Sequence, residues 1–179
     1  MNTATRTSIA TASDAPLLVQ HINGAYRGAS SRAGWTTEAD LLEGLRTDLQ
    51  GVLAIINDPG ADLHLFWNAN NQLLACVYLQ LHPHHLYLGM LTVHPPLQGL
   101  GIGKQVLHYA EQFARQHQKP AIQMTVLDAR KELIAWYNRH GYQPTGQTEP
   151  WIDGYHIGIR KQELNFVVLE KKLAAADSR

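Results

Sequence analysis

The chain has 179 residues, 45% of them hydrophobic, which is enough for one domain with a buried core. Lys plus Arg and Asp plus Glu number 15 each, so no basic surplus indicates nucleic acid or an anionic membrane as a partner. No apolar run is long enough to span a membrane, and the start Met-Asn-Thr-Ala-Thr-Arg does not have the pattern of a signal peptide. We therefore expect a single cytoplasmic domain over residues 1–179, with 174–179 as a flexible tail.

The first third of the chain predicts one strand and three helices. The strand covers 7–11, and the first helix is capped by Ser13 or Asp14 and runs to Tyr26, with Leu17, Leu18, Ile22 and Tyr26 near one face. A loop of small residues covers 28–34. The second helix covers 38–45 after Thr36 and Thr37, and the third covers 47–56. The sequence Asn57-Asp-Pro-Gly60 is a strong turn signal that ends this part.

The remainder of the chain alternates strand and helix patterns. It predicts strands over 63–67, 73–81 and 86–93, a helix from Gly101 to about Gln118, a strand over 121–126, a helix over 130–140 ended by Gly141, and last strands at Tyr142 and 164–169. Strands on both sides of a βαβα unit predict a mixed sheet with helices on both faces, an α/β (α+β) fold. Pairing at a sheet edge formed by 164–169 would give a homodimer.

The only cysteine, Cys76, lies in an apolar strand pattern. It has no partner for an internal disulfide, which is consistent with a reducing compartment. A small buried side chain is the favoured interpretation, because no helix start or cationic cluster that would activate a thiol adjoins it in the sequence.

The segment Gln98-Gly-Leu-Gly-Ile-Gly103-Lys104 is the most informative part of the chain. It stands between a predicted strand and a predicted helix, and its alternate glycines let backbone N–H groups approach an anion without obstruction by side chains. The positive end of the helix dipole adds to those donors. The pattern predicts a phosphate-binding turn.

Two common phosphate-binding motifs do not fit this turn. A P-loop requires glycine where Gln98 stands and a serine or threonine where Gln105 stands. The dinucleotide fingerprint G-x-G-x-x-G places its third glycine at Lys104 or Val106. Both motifs are excluded by spacing.

The pattern Q/R-x-x-G-x-G does fit, with Gln98, Gly101 and Gly103. The segment Leu91-Thr-Val-His-Pro95 precedes it, and Trp136-Tyr-Asn-Arg-His-Gly141-Tyr142 follows at the distance of one helix and one strand. Over residues 86–145 the chain resembles the GNAT superfamily of N-acetyltransferases in its loop, its order of elements and its Tyr-x-x-x-Gly motif.

The resemblance implies a mostly antiparallel central sheet of about seven strands and acetyl-CoA as cosubstrate. The pantetheine arm would enter between the two strands that flank the glycine turn, along the edge formed by Leu91, Thr92 and Val93. Main-chain amides of Gln98, Gly99, Leu100, Gly101, Ile102, Gly103 and Lys104 would bind the diphosphate. The Lys104 side chain either adds a cation or is a solvated lysine of the first helical turn.

The resemblance also implies direct attack of a primary amine, on a small molecule or a peptide, at the acetyl thioester. A backbone N–H near Leu91 would stabilise the oxyanion. Tyr137 stands at the general-acid position, and its phenol is protonated at neutral pH. The alternative role for Tyr137 is a core aromatic of the last helix.

One position departs from the family pattern. Many members carry asparagine seven residues before the tyrosine, where it contacts the cofactor arm, and this chain has Arg130. Arginine cannot accept a hydrogen bond, so we expect Arg130 to make a different contact with the cofactor.

The acceptor pocket of this family is shaped by segments that here contain Tyr26, Arg32, Trp35 and Trp151, each of which is equally consistent with packing. The general base is unassigned among His82, His84, His85, His94 and a water relay. We expect no metal site at His82-Pro-His-His85, because a tight turn rarely directs three imidazoles to one point. Alternatives to acetyl transfer are a longer acyl-CoA and a CoA-binding sensor or scaffold without turnover.

Overall fold

The computed structural model describes residues 3–154 and 156–174. Its central feature is a seven-stranded sheet in the order β1-β3-β4-β5-β6-β9-β7, with a separate two-stranded sheet of β2 and β8. The strands are β1 (Arg6–Ile9), β2 (Leu42–Glu43), β3 (Ala61–Trp67), β4 (Leu73–Leu81), β5 (Leu86–Val93), β6 (Ala121–Leu127), β7 (Gln143–Pro150), β8 (Ile159–Arg160) and β9 (Asn165–Lys172).

Four α-helices cover the two faces of the sheet: α1 (Ala15–Tyr26), α2 (Leu49–Ile56), α3 (Ile102–Gln116) and α4 (Lys131–Arg139). Leu18 of α1 and Val52 of α2 pack with Leu65 and Cys76 on one face. On the other face, Val106 of α3 and Tyr137 of α4 pack with alternate residues of the same strands. Period-two alternation along β3 and β4 supplies both cores, and the predicted mixed fold with helices on both faces is confirmed.

β5 and β6 are the one parallel pair in this sheet, and they separate after a short contact. Their pairing is limited to Leu86 with Ile122 and Tyr87 with Gln123. The Tyr87 hydroxyl lies 3.1 Å from Thr125 Oγ1 and bridges the strands near the point of divergence. A wedge-shaped gap therefore opens beside the last residues of β5.

A β-bulge lies on β5 at the same level. Tyr78 pairs with Gly89 and Cys76 with Thr92, so Met90 and Leu91 together face Val77. Met90 has a φ of 47°, and the hydroxyl of Tyr26 donates to the Leu91 carbonyl at 3.2 Å. The bulge is thus fixed by α1 and turns the backbone of β5 at the gap.

Three predictions for individual elements are wrong. Residues 38–45 form a turn and the short strand β2 instead of a helix, because Glu38 is held in buried ion pairs and Leu42 pairs with Arg160. Leu17 is 43% exposed and does not face the core of α1. The 164–169 segment is not at a sheet edge, since β9 lies between β6 and β7. It therefore offers no free edge for the strand pairing from which a homodimer was predicted.

No helix in the described ranges is long and apolar enough to cross a membrane. Most of the predicted tail, residues 175–179, lies outside the described part of the chain.

Candidate active site

The glycine turn joins the end of β5 to the start of α3. Gly99 and Gly101 have φ values of 79° and 87°, a left-handed backbone that glycine adopts without strain. Gly103 has a different function: a Cβ there would lie 3.2 Å from the ring of Trp136, so its small size allows α3 and α4 to approach. Gly99 and Gly101 therefore supply left-handed backbone, and Gly103 permits close packing of two helices.

The amides of this turn are available to a ligand. Within residues 3–154 and 156–174, the N–H groups of Gly99, Leu100, Gly101, Ile102, Gly103 and Lys104 have no acceptor, and the first helical bond runs from Gln105 to the Gly101 carbonyl. Free N–H groups at a helix N-terminus form an anion site. The predicted amide of Gln98 is not part of it, because that N–H donates to the Pro95 carbonyl at 3.1 Å.

The side chain of Gln98 holds the turn in place. Its Nε2 donates to the Val93 carbonyl at 3.2 Å, and its Oε1 accepts from the Trp35 N–H at 3.1 Å. Gly34 leaves room for it, since a Cβ at Gly34 would overlap the Gln98 amide group. Gln98 thus joins β5, the turn and the loop before Thr36.

A cavity of about 410 Å³ lies between the glycine turn, the end of β5 and α4. Its described walls contain no carboxylate, whereas Lys104, Arg130 and Arg139 are cationic. The lining residues include Tyr26, Trp35, Leu91, Thr92, Val93, Gln98, Gly99, Gly101, Gly103, Trp136, Tyr137 and His140. The cavity is apolar along β5 and α4 and positive near the turn, which suits a long ligand with an anionic end.

Tyr137 lines this cavity from α4. Burial raises the pKa of its hydroxyl above the ordinary value near 10, so the phenol is protonated throughout the physiological range. In the described part of the chain its hydroxyl makes no protein hydrogen bond. Tyr137 is therefore a neutral donor in the wall of the cavity.

Arg130 is buried and connects the cavity to a charge network. Two guanidinium groups share the carboxylate of Glu38: Arg27 Nε at 3.3 Å from Oε2 and Arg130 Nη1 at 3.3 Å from Oε1. Arg130 Nη2 donates to Thr36 Oγ1 at 2.8 Å, while its Nε has no partner within the described chain. Two cations on one carboxylate leave net positive charge beside the cavity.

Residues 27–142 match the model of the Acetyltransferase (GNAT) family. This chain belongs to that family. The aminoalkylphosphonate N-acetyltransferase of Salmonella typhimurium is 30% identical over 99 residues, which are 52% of this chain and 64% of that protein's length.

Solved structures share the GNAT fold at low sequence identity. The ribosomal-protein-S18-alanine N-acetyltransferase of Escherichia coli has a TM-score of 0.68 at 11% identity, covering 97% of each chain. A GNAT family acetyltransferase from Elizabethkingia anophelis, solved with acetyl-CoA bound, has a TM-score of 0.54 at 17% identity over 64% of this chain and 77% of its own.

The cavity is lined by only some of the residues predicted for the site. Arg32 is exposed and pairs with Asp40 at 2.7 Å, outside the cavity wall. Trp151 is buried with Leu42 and Leu164 in a separate cluster. Leu100 and Ile102 are not among the described residues that line the cavity either: Leu100 is exposed and Ile102 is in the core.

None of the four histidines proposed as bases lines the cavity. His82, His84 and His85 lie at the opposite end of β5, and the rings of His82 and His85 are stacked at 4.7 Å. His94 is exposed beside buried His21. Among the described residues no cluster of three or more His, Cys, Asp or Glu could hold a metal.

Six cavity residues were not predicted from the sequence: Ala25, Thr36, Leu133, Trp136, Arg139 and His140. The last four lie within four residues of Tyr137, on α4 or directly after it, so closeness to Tyr137 in the sequence was the available signal. His140 Nδ1 donates to the Trp136 carbonyl at 2.8 Å, and its ring packs on Trp136 at 4.4 Å.

Proposed function

We propose that this protein transfers the acetyl group of acetyl-CoA to a primary amine of a small molecule. The observation that carries this proposal is a set of six amides at the start of α3 that have no acceptor in the described residues, beside a cationic cavity lined by the end of β5, where β5 is no longer paired with β6. The diphosphate would accept from the amides, and the pantetheine arm would pair with Leu91–Val93. Arg130 Nε, which is buried and has no partner among the described residues, would donate to a carbonyl of that arm.

The bulge supports a role in stabilising charge during the reaction. The extra residue at Met90–Leu91 frees backbone from the ladder with β4, and β6 has already diverged at this level. Attack of the amine nitrogen on the thioester carbon forms a C–N bond and places negative charge on the carbonyl oxygen. A bulge N–H beside the cavity would stabilise that oxygen.

Tyr137 is the donor that this site offers to the leaving group. The tetrahedral intermediate collapses by breaking the C–S bond, and the departing sulfur takes a proton from the phenol. Thiols ionise at about pH 8.5, so protonation of the departing thiolate at neutral pH drives the step toward the amide product. The amine loses its own proton to water or to a residue outside the described cavity wall, and the Tyr137 phenolate regains a proton from solvent, which restores the enzyme.

The test is thiol release from acetyl-CoA with a panel of primary amines, together with binding of CoA measured by calorimetry. Amine-dependent thiol release and amide product in the mass spectrum would support the transferase. Binding of CoA without release on any amine would contradict it and favour the CoA sensor. Absence of CoA binding would contradict both functions.

A further inference from the structure

A second cavity of about 370 Å³ lies next to the β5 bulge and is lined in part by Arg46. Met90 lines this cavity and Leu91 lines the larger one, so the two cavities meet the same bulge. The remaining walls come from the segment before α2, from α2 and the turn after it, and from β4 and β5: Arg46, Ala54, Ile55, Asp58, Tyr78, Tyr87 and Gly89.

The backbone of Arg46 is held firmly to α1. Asn23 Oδ1 accepts from the N–H groups of Arg46 at 2.7 Å and Thr47 at 3.1 Å, and Asn23 Nδ2 donates to the Thr47 carbonyl at 2.8 Å. The Arg46 guanidinium lies 5.5 Å from the centre of the Tyr26 ring. A three-bond clamp and a cation–π contact thus place this side chain at the cavity.

In the part of the chain that the structure describes, the Arg46 guanidinium makes no ion pair or hydrogen bond. Asp58, in the same cavity, accepts from Tyr78 Oη at 3.1 Å and from the Gly60 N–H at 2.9 Å and is not in ion-pair contact with Arg46. The unsatisfied group is therefore the cation, whose five donors match a carboxylate or phosphonate.

The charges around Tyr26 reinforce this preference. Arg46 and Arg130 lie on its ring at 5.5 and 5.8 Å, and the Glu38 carboxylate, already shared with Arg27, is the opposing charge. A positive region attracts an acidic group. It also lowers the pKa of a nearby amine and so increases the neutral fraction that attacks the thioester.

We infer that the acceptor is a primary amine that also carries an acidic group, carboxylate or phosphonate, and that Arg46 binds this group while the amine points to the bulge. This assignment rests on the proposed acetyl transfer. It makes Arg46 a specificity-determining residue.

The experiment compares β-alanine, 2-aminoethylphosphonate and n-propylamine by thiol release at fixed acetyl-CoA, with Arg46→Met, Arg46→Lys and Arg32→Met. In the unmodified protein, we expect kcat/KM for the better substrate of the two acid-bearing amines to exceed that for n-propylamine, at a ratio of about tenfold or more. Arg46→Met should bring that ratio to within about twofold, and Arg46→Lys should restore part of it. Arg32→Met, which removes an exposed arginine outside both cavities, should leave the ratio unchanged.

A preference for propylamine, or an equal loss for all amines in Arg46→Met, would overturn the inference while leaving acetyl transfer intact. Calorimetric titration of the two acid-bearing amines into CoA-saturated protein distinguishes a failure of the Arg46 anion site from a failure of acetyl transfer. Binding that depends on Arg46 without turnover would support the anion site and contradict acetyl transfer. No binding at millimolar concentration would overturn the inference.

Discussion

The Nε2 of Gln98 donates to the carbonyl oxygen of Val93 across 3.2 Å, which connects the last residue of β5 to the glycine turn that follows it. The other end of the same amide accepts from the N–H of Trp35. One side chain therefore sets the distance between the strand edge that would pair with pantetheine and the amides that would bind the diphosphate. Its contribution is geometric, since its own N–H is already bonded.

Gln98→Ala should weaken CoA binding by about three- to tenfold, corresponding to loss of about 1 kcal/mol of positioning by hydrogen bonds. Gly34→Ala should have a similar effect, because its Cβ displaces the Gln98 amide. Calorimetry on both single variants and the double variant checks this. Additive losses in the double variant would show that the two positions act independently and would contradict the shared cause.

Tyr137→Phe should lower kcat by about 10²- to 10⁴-fold with the Kd of CoA unchanged, because the substitution removes only the proton donor. Tyr142→Phe is the matched control: this tyrosine is fully buried, has an unpartnered hydroxyl in the described structure and does not line the cavity. It should retain activity. Equal kcat values for Tyr137→Phe and the unmodified protein would remove the general-acid role.

His21 should make the fold sensitive to acid. Burial lowers its pKa from 6.5 to about 4, and its Nε2 has no partner in the described residues. Between these pH values the unfolded state binds the proton and the folded state does not, so stability falls as pH decreases from about 6.5 toward 4. The shift corresponds to about 3 kcal/mol as an upper limit.

Urea unfolding of His21→Phe and the unmodified protein at pH 7.5 and pH 5 measures this effect. We expect the variant to lose less stability between the two pH values, whatever its stability at pH 7.5. An identical loss in both proteins would show that other groups cause the acid sensitivity.

Local signals were sufficient for the parts of the fold that depend on neighbouring residues. The turn at Gly99–Gly101 was predictable because both glycines meet backbone requirements within one segment, whereas Gly103 meets a packing requirement set by Trp136. The helix expected over 38–45 was wrong because Glu38 interacts with Arg27 and Arg130, which are distant in sequence. Helix propensity and capping do not contain that information.

The same limit applies to the acceptor side of the site. No sequence feature distinguished Trp35 from Trp151 as a residue of the acceptor pocket. In the structure, Trp35 lines the cavity and Trp151 packs against Leu42 and Leu164. Arg46 gave no sequence signal, since its position depends on a clamp from Asn23 and on the ring of Tyr26. Sites assembled from loops require the tertiary structure.

Backbone NMR of ¹⁵N-labelled protein titrated with CoA tests the central claim most directly. The account predicts the largest amide shifts at Gly99–Lys104, the segment whose N–H groups have no acceptor in the described structure, and a smaller shift at Gln98, whose N–H is bonded to Pro95. Titration with pantetheine, which has no diphosphate, should leave the Gly99–Lys104 amides unshifted. Saturable CoA binding with no shift at these amides would contradict the account.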